Sequence, residues 1–531
     1  MAEQLSDLRS AYLVGDAIVV TNLPPHTSSV RVLTAFGATF EATVDNGTAT
    51  VVDVSEGTHA FEASSATGEL LAEEFFGVRH AMGEDPIMGF VTSFGEELQS
   101  SVLTWLRKLR CSVVQIYDWM DSYSTPLATA DSYEDPLGRP IERPVLAQLI
   151  AGIKELGAVA QAYAPMIAAD AELANAHPEW RLFRNDGEPQ SLGDLLQIMD
   201  PGNAEWQRHW IDNYGHAADE LGFDGFHLDT YGYPRAALNS SGEPVLMAEG
   251  YVDFVGAVRK ARPHEVLSFN QVNGVPRGFM TPASPSFRYI EVWAPNDRWR
   301  HLEGLLQRSA GDNEHHGDTL AIYPPVWEGE RGVALRTGLL GQAIVTVLGA
   351  NSLIWGDDYG VLCHPYYVEH ETLRGDEIDQ VLQWHRFGLR CRDLFKGVTD
   401  TSWYELDDEN ASLTVSWNGP TSPEPTGGSL FVRVFRSDGL VVVSLLDVSG
   451  SSDGSWSSGT GPGTCARAEI SVLVEERDEW RAEVAVLGRD EGRFTSLQLV
   501  ASSMREGQGR TCTVPVDGGW SVLRISRQRP S

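Results

Sequence analysis

The chain has 531 residues, of which 42% are hydrophobic and 9% aromatic. It is too long for one ordinary domain and too rich in core-forming residues to be disordered. Acidic residues number 74 against 40 Lys and Arg, a formal net charge of −34, which repels phosphate backbones and anionic lipids. The sequence therefore predicts no nucleic-acid and no membrane partner, and leaves neutral or cationic ligands open.

The termini and the cysteines give weaker indications. The first residues lack a basic start followed by an apolar run, and no stretch approaches the roughly 20 apolar residues that span a bilayer. The sequence as given predicts a cytoplasmic protein, or a secreted one whose export signal has been removed. The five cysteines form no CxxC pair, so neither a zinc site nor a disulfide framework is expected.

Two regions at the ends of the chain are typical of β structure. Residues 1–84 show short alternating strands and a turn at Asp45–Gly47, which favours a small antiparallel β-sandwich. Residues 396–531 again alternate apolar and polar positions. The Gly/Ser-rich run from Gly450 to Thr464 interrupts them and is interpreted as a long hairpin loop or a flexible excursion.

The middle of the chain, residues 85–395, alternates short apolar strands with amphipathic helical stretches. The candidate strands are residues 88–94, 112–119, 158–166, 224–231, 266–272, 289–293, 320–325 and 352–358. Eight such units fit a (β/α)8 TIM barrel. An open doubly wound sheet is the alternative, but no GxGxxG or GxxxxGK[ST] motif follows any strand, so the barrel is preferred.

Several of these strands end in acidic, amide or aromatic residues. In a barrel the carboxyl ends of the strands meet at one mouth, which is where active sites are found. A polar residue at a strand end commonly just marks the start of a loop, but six strands ending alike are harder to explain that way. Aromatic rings stack on sugar rings, and carboxylates and amides bind hydroxyl groups, so the pattern suggests a sugar site.

Two carboxylates stand out within this pattern. Asp229 ends the fourth predicted strand and Glu291 lies on the sixth, so the two are expected to face each other across the barrel mouth. Cleavage of a glycosidic bond needs such a pair, one ionised and one able to give its proton to the leaving oxygen. Asp224 is a rival for Asp229, but its odd spacing places it on the opposite face, near the strand's start, where contact with backbone is expected.

The chain resembles glycoside hydrolase family 66, the family of endo-dextranases and cycloisomaltooligosaccharide glucanotransferases. The matching segments are Gln115–Met120, Gly222–Thr230, Phe269–Asn270, Tyr289–Trp293 and Gly356–His364. The resemblance implies three parts: an N-terminal immunoglobulin-like domain (1–84), a catalytic barrel (85–395) and a C-terminal β-sandwich (396–531). It also implies a retaining hydrolase of α-1,6-glucosidic linkages, with dextran or isomaltooligosaccharides as substrate.

The same resemblance implies roles for individual residues. Asp229 would be the nucleophile and Glu291 the general acid/base. The glucose next to them would be bound by Tyr117, Asp118, Tyr163, His227, Asn270, Trp293 and Asp358. This chemistry needs neither a metal nor another cofactor, and none is predicted. Among the acids Asp131, Glu134 and Asp135, a structural calcium ion is an alternative to a solvated loop.

The chain departs from the family's pattern in two places. Asp121–Pro126 replace the basic segment usual after the first motif, which bears on subsite preference. Nothing between Asp229 and Asp358 is as long as the carbohydrate-binding insertion common in the glucanotransferases, so hydrolysis is favoured over cyclisation. A ring-forming glucanotransferase and a catalytically inactive glucan-binding protein remain the alternatives.

Overall fold

The structure is a computed structural model of the chain. It describes residues 5–193, 196–230, 232, 237–276, 285–310, 317–325, 330–396, 398–407, 412–473, 479–504 and 507–527. Within those ranges, no helix combines the length and the apolar character that crossing a bilayer requires.

Eight parallel strands form an almost closed barrel in the middle of the chain. They are β1 (Met88–Val91), β2 (Val113–Ile116), β3 (Val159–Pro165), β4 (Gly225–Asp229), β5 (Val266–Asn270), β6 (Phe287–Glu291), β7 (Thr319–Ala321) and β8 (Asn351–Leu353). Each strand pairs with its neighbours in chain order from β1 to β8. The eight predicted strands are therefore confirmed. Seven are shorter than their sequence patterns suggested because their polar ends belong to loops, and the sixth keeps its length but begins and ends two residues earlier.

Helices fill most connections of the barrel. They are α1 (Gln99–Lys108), α2 (Arg143–Glu155), α3 (Ala204–Leu221), α4 (Met247–Ala261), α5 (His301–Ala310), α6 (Arg331–Val347) and α7 (Asp376–Cys391). A short helix, Ala171–Ala176, precedes α3, and another, Ser402–Asp407, follows the barrel. Between β5 and β6 the described residues form only the single 3-10 turn Val272–Gly274.

Helix α3 shows how the sequence sets the geometry near the strand that carries Asp229. Asn203 caps the helix by accepting hydrogen bonds from the backbone of its first turn, and Gly222, with φ +83°, ends it in the left-handed conformation that suits glycine. Trp206 and Trp210, one turn apart, are both buried. Their indoles donate to the backbone of Met166 and Pro165 at the end of β3, at 2.9 and 3.1 Å.

The seam between β1 and β8 is joined by the loop after β8. The backbone N–H of Asp357 donates to the carbonyl of Phe90 on β1 at 2.6 Å. The fully buried Asp357 carboxylate accepts from Thr92 at 2.9 Å from the backbone and 2.6 Å from the hydroxyl. Asp357, rather than its neighbour Asp358, is thus the acid that connects the first and last strands.

The N-terminal residues form two sheets that enclose an apolar cluster. The first sheet contains, in order, Ala11–Leu13, Leu70–Arg79, Gly57–Ser64, Ser29–Thr34 and Thr39–Glu41; the second contains Ile18–Val20, Thr48–Val51 and Thr43–Asp45. The predicted turn is confirmed: Asn46 and Gly47, with φ +48° and +79°, join the last two strands in the conformation that two-residue hairpins favour. The pairing of Ala11–Leu13 is parallel, so the first sheet is mixed rather than purely antiparallel.

The C-terminal residues form a larger pair of sheets. One contains Thr399–Asp400, Leu430–Ser437, Leu440–Asp447, Trp520–Arg527, Trp480–Val486 and Thr495–Leu497, with Thr421–Ser422 at its side; the other contains Leu413–Ser416, Arg467–Leu473, Gly507–Pro515 and Val500–Met504. Alternate residues of a strand face opposite sides of a sheet. Val432 and Val434 accordingly join the cluster between the two sheets, whereas Phe431 and Phe435 join the cluster that includes the barrel.

The Gly/Ser-rich run does not form a hairpin loop. Its flanking strands, Leu440–Asp447 and Arg467–Leu473, belong to different sheets, so the hairpin interpretation is wrong. The composition of the run concealed Trp456, which is buried and packs against Trp299 of the barrel with ring centroids 5.2 Å apart.

Candidate active site

A cavity of about 380 Å³ opens at the carboxyl ends of the barrel strands. It forms there because the parallel strands end together and the loops that follow surround the opening. Its walls are Gln115, Tyr117, Tyr163, Leu192, His227, Asp229, Gly232, Asn270, Val272, Tyr289, Glu291, Trp293, Pro365, Tyr366 and Tyr367. Carboxylates, amides and aromatic rings dominate this surface, and none of these described wall residues is Lys or Arg.

Asp229 and Glu291 lie next to each other in this cavity, as the last residues of β4 and β6. Asn270, the last residue of β5 between them, donates from its single Nδ2 atom to Asp229 Oδ1 at 2.7 Å and to Glu291 Oε2 at 3.0 Å. The two carboxylate oxygens therefore lie no farther apart than the sum of these distances.

Asp229 accepts further hydrogen bonds. The Tyr163 hydroxyl donates to its Oδ2 at 2.8 Å, and the backbone N–H of Thr230 donates to its Oδ1 at 2.8 Å. With the bond from Asn270, both oxygens are fixed in the buried site. Such donors suit an ionised carboxylate, because each of them stabilises negative charge.

Glu291 is in a different electrostatic environment. Burial raises the pKa of Glu291, and the charge of Asp229 raises it further. Hydrogen bonds from Tyr323, Asn270 and Trp293 oppose this shift without cancelling it. The carboxyl group of Glu291 therefore keeps its proton at a higher pH than an ordinary glutamate.

His227 forms part of the wall between these groups. Burial lowers the pKa of His227 to about 4, although Asp229 opposes the shift, so the imidazole is neutral near pH 7. Its Nδ1 lies 2.9 Å from the Ser268 hydroxyl, and its ring meets Tyr289 edge to face at 4.6 Å. A neutral, fixed imidazole can hydrogen-bond a sugar hydroxyl but adds no positive charge beside the carboxylates.

The structure brings seven of the nine sequence-predicted site residues into the cavity wall. They are Tyr117, Tyr163, His227, Asp229, Asn270, Glu291 and Trp293. Trp293 lies at the edge of the opening, with 40% of its surface exposed.

Asp118 and Asp358 are not part of this wall. Asp118 is buried, burial raises its pKa to about 7 against the effect of Arg139, and its Oδ1 has no hydrogen-bond partner in the described part of the chain. Asp358 is half-buried, and its Oδ1 likewise lacks a partner there. Asp118 directly follows Tyr117, which lies in the wall, and Asp358 directly follows Asp357, which joins the first and last strands. Each predicted acid is therefore one position away from the residue whose contacts the structure defines.

Sequence reasoning missed four aromatic or amide residues of the wall and one that contacts Glu291. Tyr289 and Gln115 each lie two positions before a predicted site residue, Glu291 and Tyr117, so the two-residue period of a strand could have identified them. Tyr323 lies inside the predicted seventh strand but two residues beyond the end of the observed one. Tyr366 and Tyr367 lie beyond the last barrel strand, where the strand period no longer applies. Tyr367 stacks on Tyr117 with centroids 4.5 Å apart, and Tyr323 donates its hydroxyl to Glu291 Oε1.

Two acidic groups considered from the sequence have other contacts. Asp224 contacts backbone as expected, because its Oδ2 accepts from the N–H of Ala160 at 3.1 Å, and its Oδ1 pairs with Lys154 at 2.8 Å. In the loop considered for calcium, Asp135 pairs with Arg139 at 2.6 Å and Asp131 with Arg143 at 2.5 Å. No cluster of three or more metal-binding side chains occurs among the described residues.

The model of glycosyl hydrolase family 66 matches residues 66–523 of this chain. The chain belongs to glycosyl hydrolase family 66. A cycloisomaltooligosaccharide glucanotransferase from Niallia circulans is 23% identical over 267 residues, 45% of this chain and 28% of that protein. A dextranase from Streptococcus salivarius is 26% identical over 191 residues, 32% of this chain and 23% of that protein. The matched part thus spans less than a third of either relative.

Solved structures extend the likeness in fold. The crystal structure of a cycloisomaltooligosaccharide glucanotransferase from Paenibacillus, complexed with cycloisomaltoheptaose, has a TM-score of 0.80 and 16% identity, covering 97% of this chain and 98% of the other. The fold of the chain is therefore similar over nearly its whole length to that of this solved structure.

Proposed function

We propose that this chain is a retaining glycoside hydrolase that cleaves α-1,6-glucosidic linkages of dextran or isomaltooligosaccharides. The observation that carries the proposal is the shared hydrogen bonding of Asp229 and Glu291 by Asn270. Retaining enzymes hold their two carboxyl groups about 5–5.5 Å apart, whereas inverting enzymes separate them by roughly 6.5–9.5 Å to admit a water molecule. The two oxygens that share the Asn270 donor lie closer together than the inverting separation, which supports the retaining arrangement.

The roles of the two carboxyl groups follow from their surroundings. Asp229, held by three hydrogen bonds, attacks the anomeric carbon as an ionised nucleophile and forms a β-glucosyl ester. Glu291, whose pKa is raised, gives its proton to the departing glycosidic oxygen. Glu291 then takes a proton from the incoming water, which displaces Asp229 and restores the α configuration.

The substrate class rests on family membership and on the wall of the cavity. The curated relatives include a dextranase, and the described residues of the wall offer aromatic faces and include no cationic group. Tyr117, Tyr163, His227 and Trp293 would surround the glucose unit next to the carboxylates. Asp118 and Asp358, which are outside the described wall, would accept hydrogen bonds from sugar hydroxyl groups after the loops around them rearrange.

We extend the proposal to the organisation of the chain. Residues 1–84 would be an immunoglobulin-like domain, 85–395 the catalytic (β/α)8 domain and 396–531 a β-sandwich domain. Separate apolar clusters within the first and the last of these ranges support that division.

The test is product analysis on dextran, isomaltooligosaccharides and pullulan side by side. We expect linear isomaltose-type products from the first two, with the α anomer released first in proton NMR. Release of the β anomer would contradict the retaining pair. Ring products would instead identify the glucanotransferase activity named for several relatives, and binding without new reducing ends would identify an inactive glucan-binding protein.

A further inference from the structure

The loop of residues 450–464 has a defined shape despite its Gly/Ser-rich composition. Its base is closed by a hydrogen bond from the N–H of Gly461 to the carbonyl of Gly450 at 2.9 Å. Nearer its tip, the carboxylate of Asp453 accepts from the backbone of Ser455 at 3.0 Å and from the hydroxyl of Ser458 at 2.8 Å. The tip is therefore able to hold another segment in place.

The tip contacts three consecutive residues of the loop after β6. The hydroxyl of Ser455 donates to the carbonyl of Asp297 at 3.0 Å. The guanidinium of Arg298 donates to the carbonyl of Asp453 at 2.6 Å, and the N–H of Trp299 donates to the carbonyl of Gly454 at 2.9 Å. Arg298 and Ser455 also pair as an isolated antiparallel bridge.

Buried rings complete this contact. Trp299 is fully buried and Trp456 nearly so, and their ring centroids are 5.2 Å apart at an angle of 49°. Burial of two indoles is among the larger apolar contributions available to any contact. The loop is also tied to helix α6, because Arg336 donates to the carbonyl of Thr460 at 3.2 Å.

The contacted segment starts in the candidate active site. We call residues 293–299 the rim segment. At its beginning, Trp293 lines the cavity and donates a side-chain hydrogen bond to Glu291. A turn bond from the N–H of Asn296 to the carbonyl of Trp293, at 2.9 Å, connects this end to the residues that the C-terminal loop holds.

We infer that the loop of residues 450–464 is a brace that positions Trp293 against Glu291 through the rim segment. Ser455 and Trp456 are then positioning residues for the reaction, although they lie far along the chain from the barrel and touch no wall residue. A general role in docking the C-terminal sheets would not need these contacts. Other ties serve that purpose, such as the ion pair of Arg433 with Glu303 on α5, at 2.8 Å.

The test uses Ser455→Ala, which removes one hydroxyl donor, and Trp456→Ala, which removes the buried ring. Ser452→Ala, at an exposed position of the same loop, is the matched control. Arg433→Gln is the second control, because it weakens the docking of the C-terminal sheets without touching the rim segment. The readouts are the pH profile of kcat/KM on isomaltooligosaccharides and hydrogen exchange of residues 293–299.

We expect Ser455→Ala and Trp456→Ala to raise KM, by about two- to tenfold for Ser455→Ala. Both should also speed hydrogen exchange in the rim segment. The basic limb of the profile should move to higher pH, because the bond from Trp293 lowers the pKa of Glu291. Ser452→Ala and Arg433→Gln should leave the basic limb and the hydrogen exchange unchanged, and Arg433→Gln should lower only Tm.

An unchanged limb together with unchanged exchange in Ser455→Ala would overturn the inference, even if Trp456→Ala fails to fold. The kinetic readout rests on the proposed function, but the exchange readout does not. If the unmodified enzyme cleaves no α-1,6-glucan, the proposed function fails. The exchange of residues 293–299 then decides the structural part of the inference on its own.

Discussion

The cavity at the barrel mouth and a second cavity elsewhere in the molecule differ in how their carboxylates are compensated. The second cavity, about 650 Å³, lies between the N-terminal sheet, helix α7 and the seven-stranded C-terminal sheet. Its wall includes the arginines Arg31, Arg390, Arg481, Arg493 and Arg524. The mouth cavity is smaller, about 380 Å³, and its described wall holds two carboxylates and no arginine.

Burial tends to raise the pKa of the carboxylates at both cavities, but the net shifts are opposite because their neighbours differ. Burial tends to raise the pKa of Glu73, beside the larger cavity, but Arg390, Arg493 and Arg386 together bring the pKa below its ordinary value. The guanidinium of Arg390 lies 2.6 Å from the carboxylate of Glu73. At the mouth, burial and the charge of Asp229 raise the pKa of Glu291, and only neutral donors oppose them.

This difference shows that volume is a poor guide to the reactive site here. Paired charges at the larger cavity hold three parts of the chain together. The two carboxylates at the mouth have no cationic partner among the described wall residues, and in the function that we propose they supply the chemistry. Replacing a carboxylate with an amide should therefore lower activity at the mouth and lower stability at the larger cavity.

The largest effect is expected at the mouth. Asp229→Asn removes the nucleophile and Glu291→Gln the transferable proton, so each should lower kcat on isomaltooligosaccharides by at least ~100-fold, within the usual range for acid–base help of 10²–10⁴. Both variants should stay folded by circular dichroism, and Glu291→Gln should not lower Tm, because it relieves the repulsion between two buried carboxylates. Near-normal turnover by either would remove the role assigned to that residue.

The matched exchange at the larger cavity is Glu73→Gln. Removing one partner of a buried ion pair costs about 3 kcal/mol, so denaturant unfolding should occur earlier while kcat stays unchanged. The pKa of Glu73 is lowered on folding, so its contribution is present above the ordinary glutamate pKa and is lost as pH falls through the folded value. The stability gap between Glu73→Gln and the unmodified protein should therefore narrow in acid; a gap independent of pH would contradict this account.

Asn270→Ala tests the group that connects the two carboxylates. Hydrogen bonds to charged groups contribute about 1.5–3 kcal/mol, so we expect kcat/KM to fall by about 10- to 100-fold with stereochemistry retained. Asn213→Ala on the outer helix α3 is the control. A fall of less than twofold would show that the bonds at 2.7 and 3.0 Å do not hold the catalytic geometry.

Much of the barrel could be predicted from sequence because its strands are buried on both faces and appear as continuous apolar runs. The position of a side chain at the end of such a strand follows directly, which is why Asp229, Asn270 and Glu291 were identified. Family resemblance added the roles of the two acids, nucleophile for Asp229 and general acid/base for Glu291. Asp118 and Asp358 illustrate the limit: both follow strand ends in the loops after β2 and β8, and neither is among the described residues of the cavity wall.

The rest of the site depends on long-range folding that no local pattern encodes. Tyr366 and Tyr367 reach the wall from a loop after the eighth strand, and the loop of residues 450–464 reaches the rim segment from another sheet. Composition predicted an excursion there, since glycine and serine contribute little apolar surface. The loop is nevertheless fixed on the barrel, by the buried ring of Trp456 and by hydrogen bonds with residues 297–299.

Tyr323, which sequence reasoning also missed, gives the smallest and most specific effect. Its hydroxyl donates to Glu291 Oε1 and thereby favours the ionised carboxylate. In Tyr323→Phe that donor is lost, so the pKa of Glu291 should rise and the acid should stay protonated to higher pH. The basic limb of the kcat/KM profile should move upward by about 0.5–1 pH unit, since a hydrogen bond contributes roughly 0.5–1.5 kcal/mol and one unit corresponds to about 1.36 kcal/mol. Tyr404→Phe, at an exposed position, should leave the limb in place, and a downward shift in Tyr323→Phe would mean that Glu291 is not the acid that the limb reports.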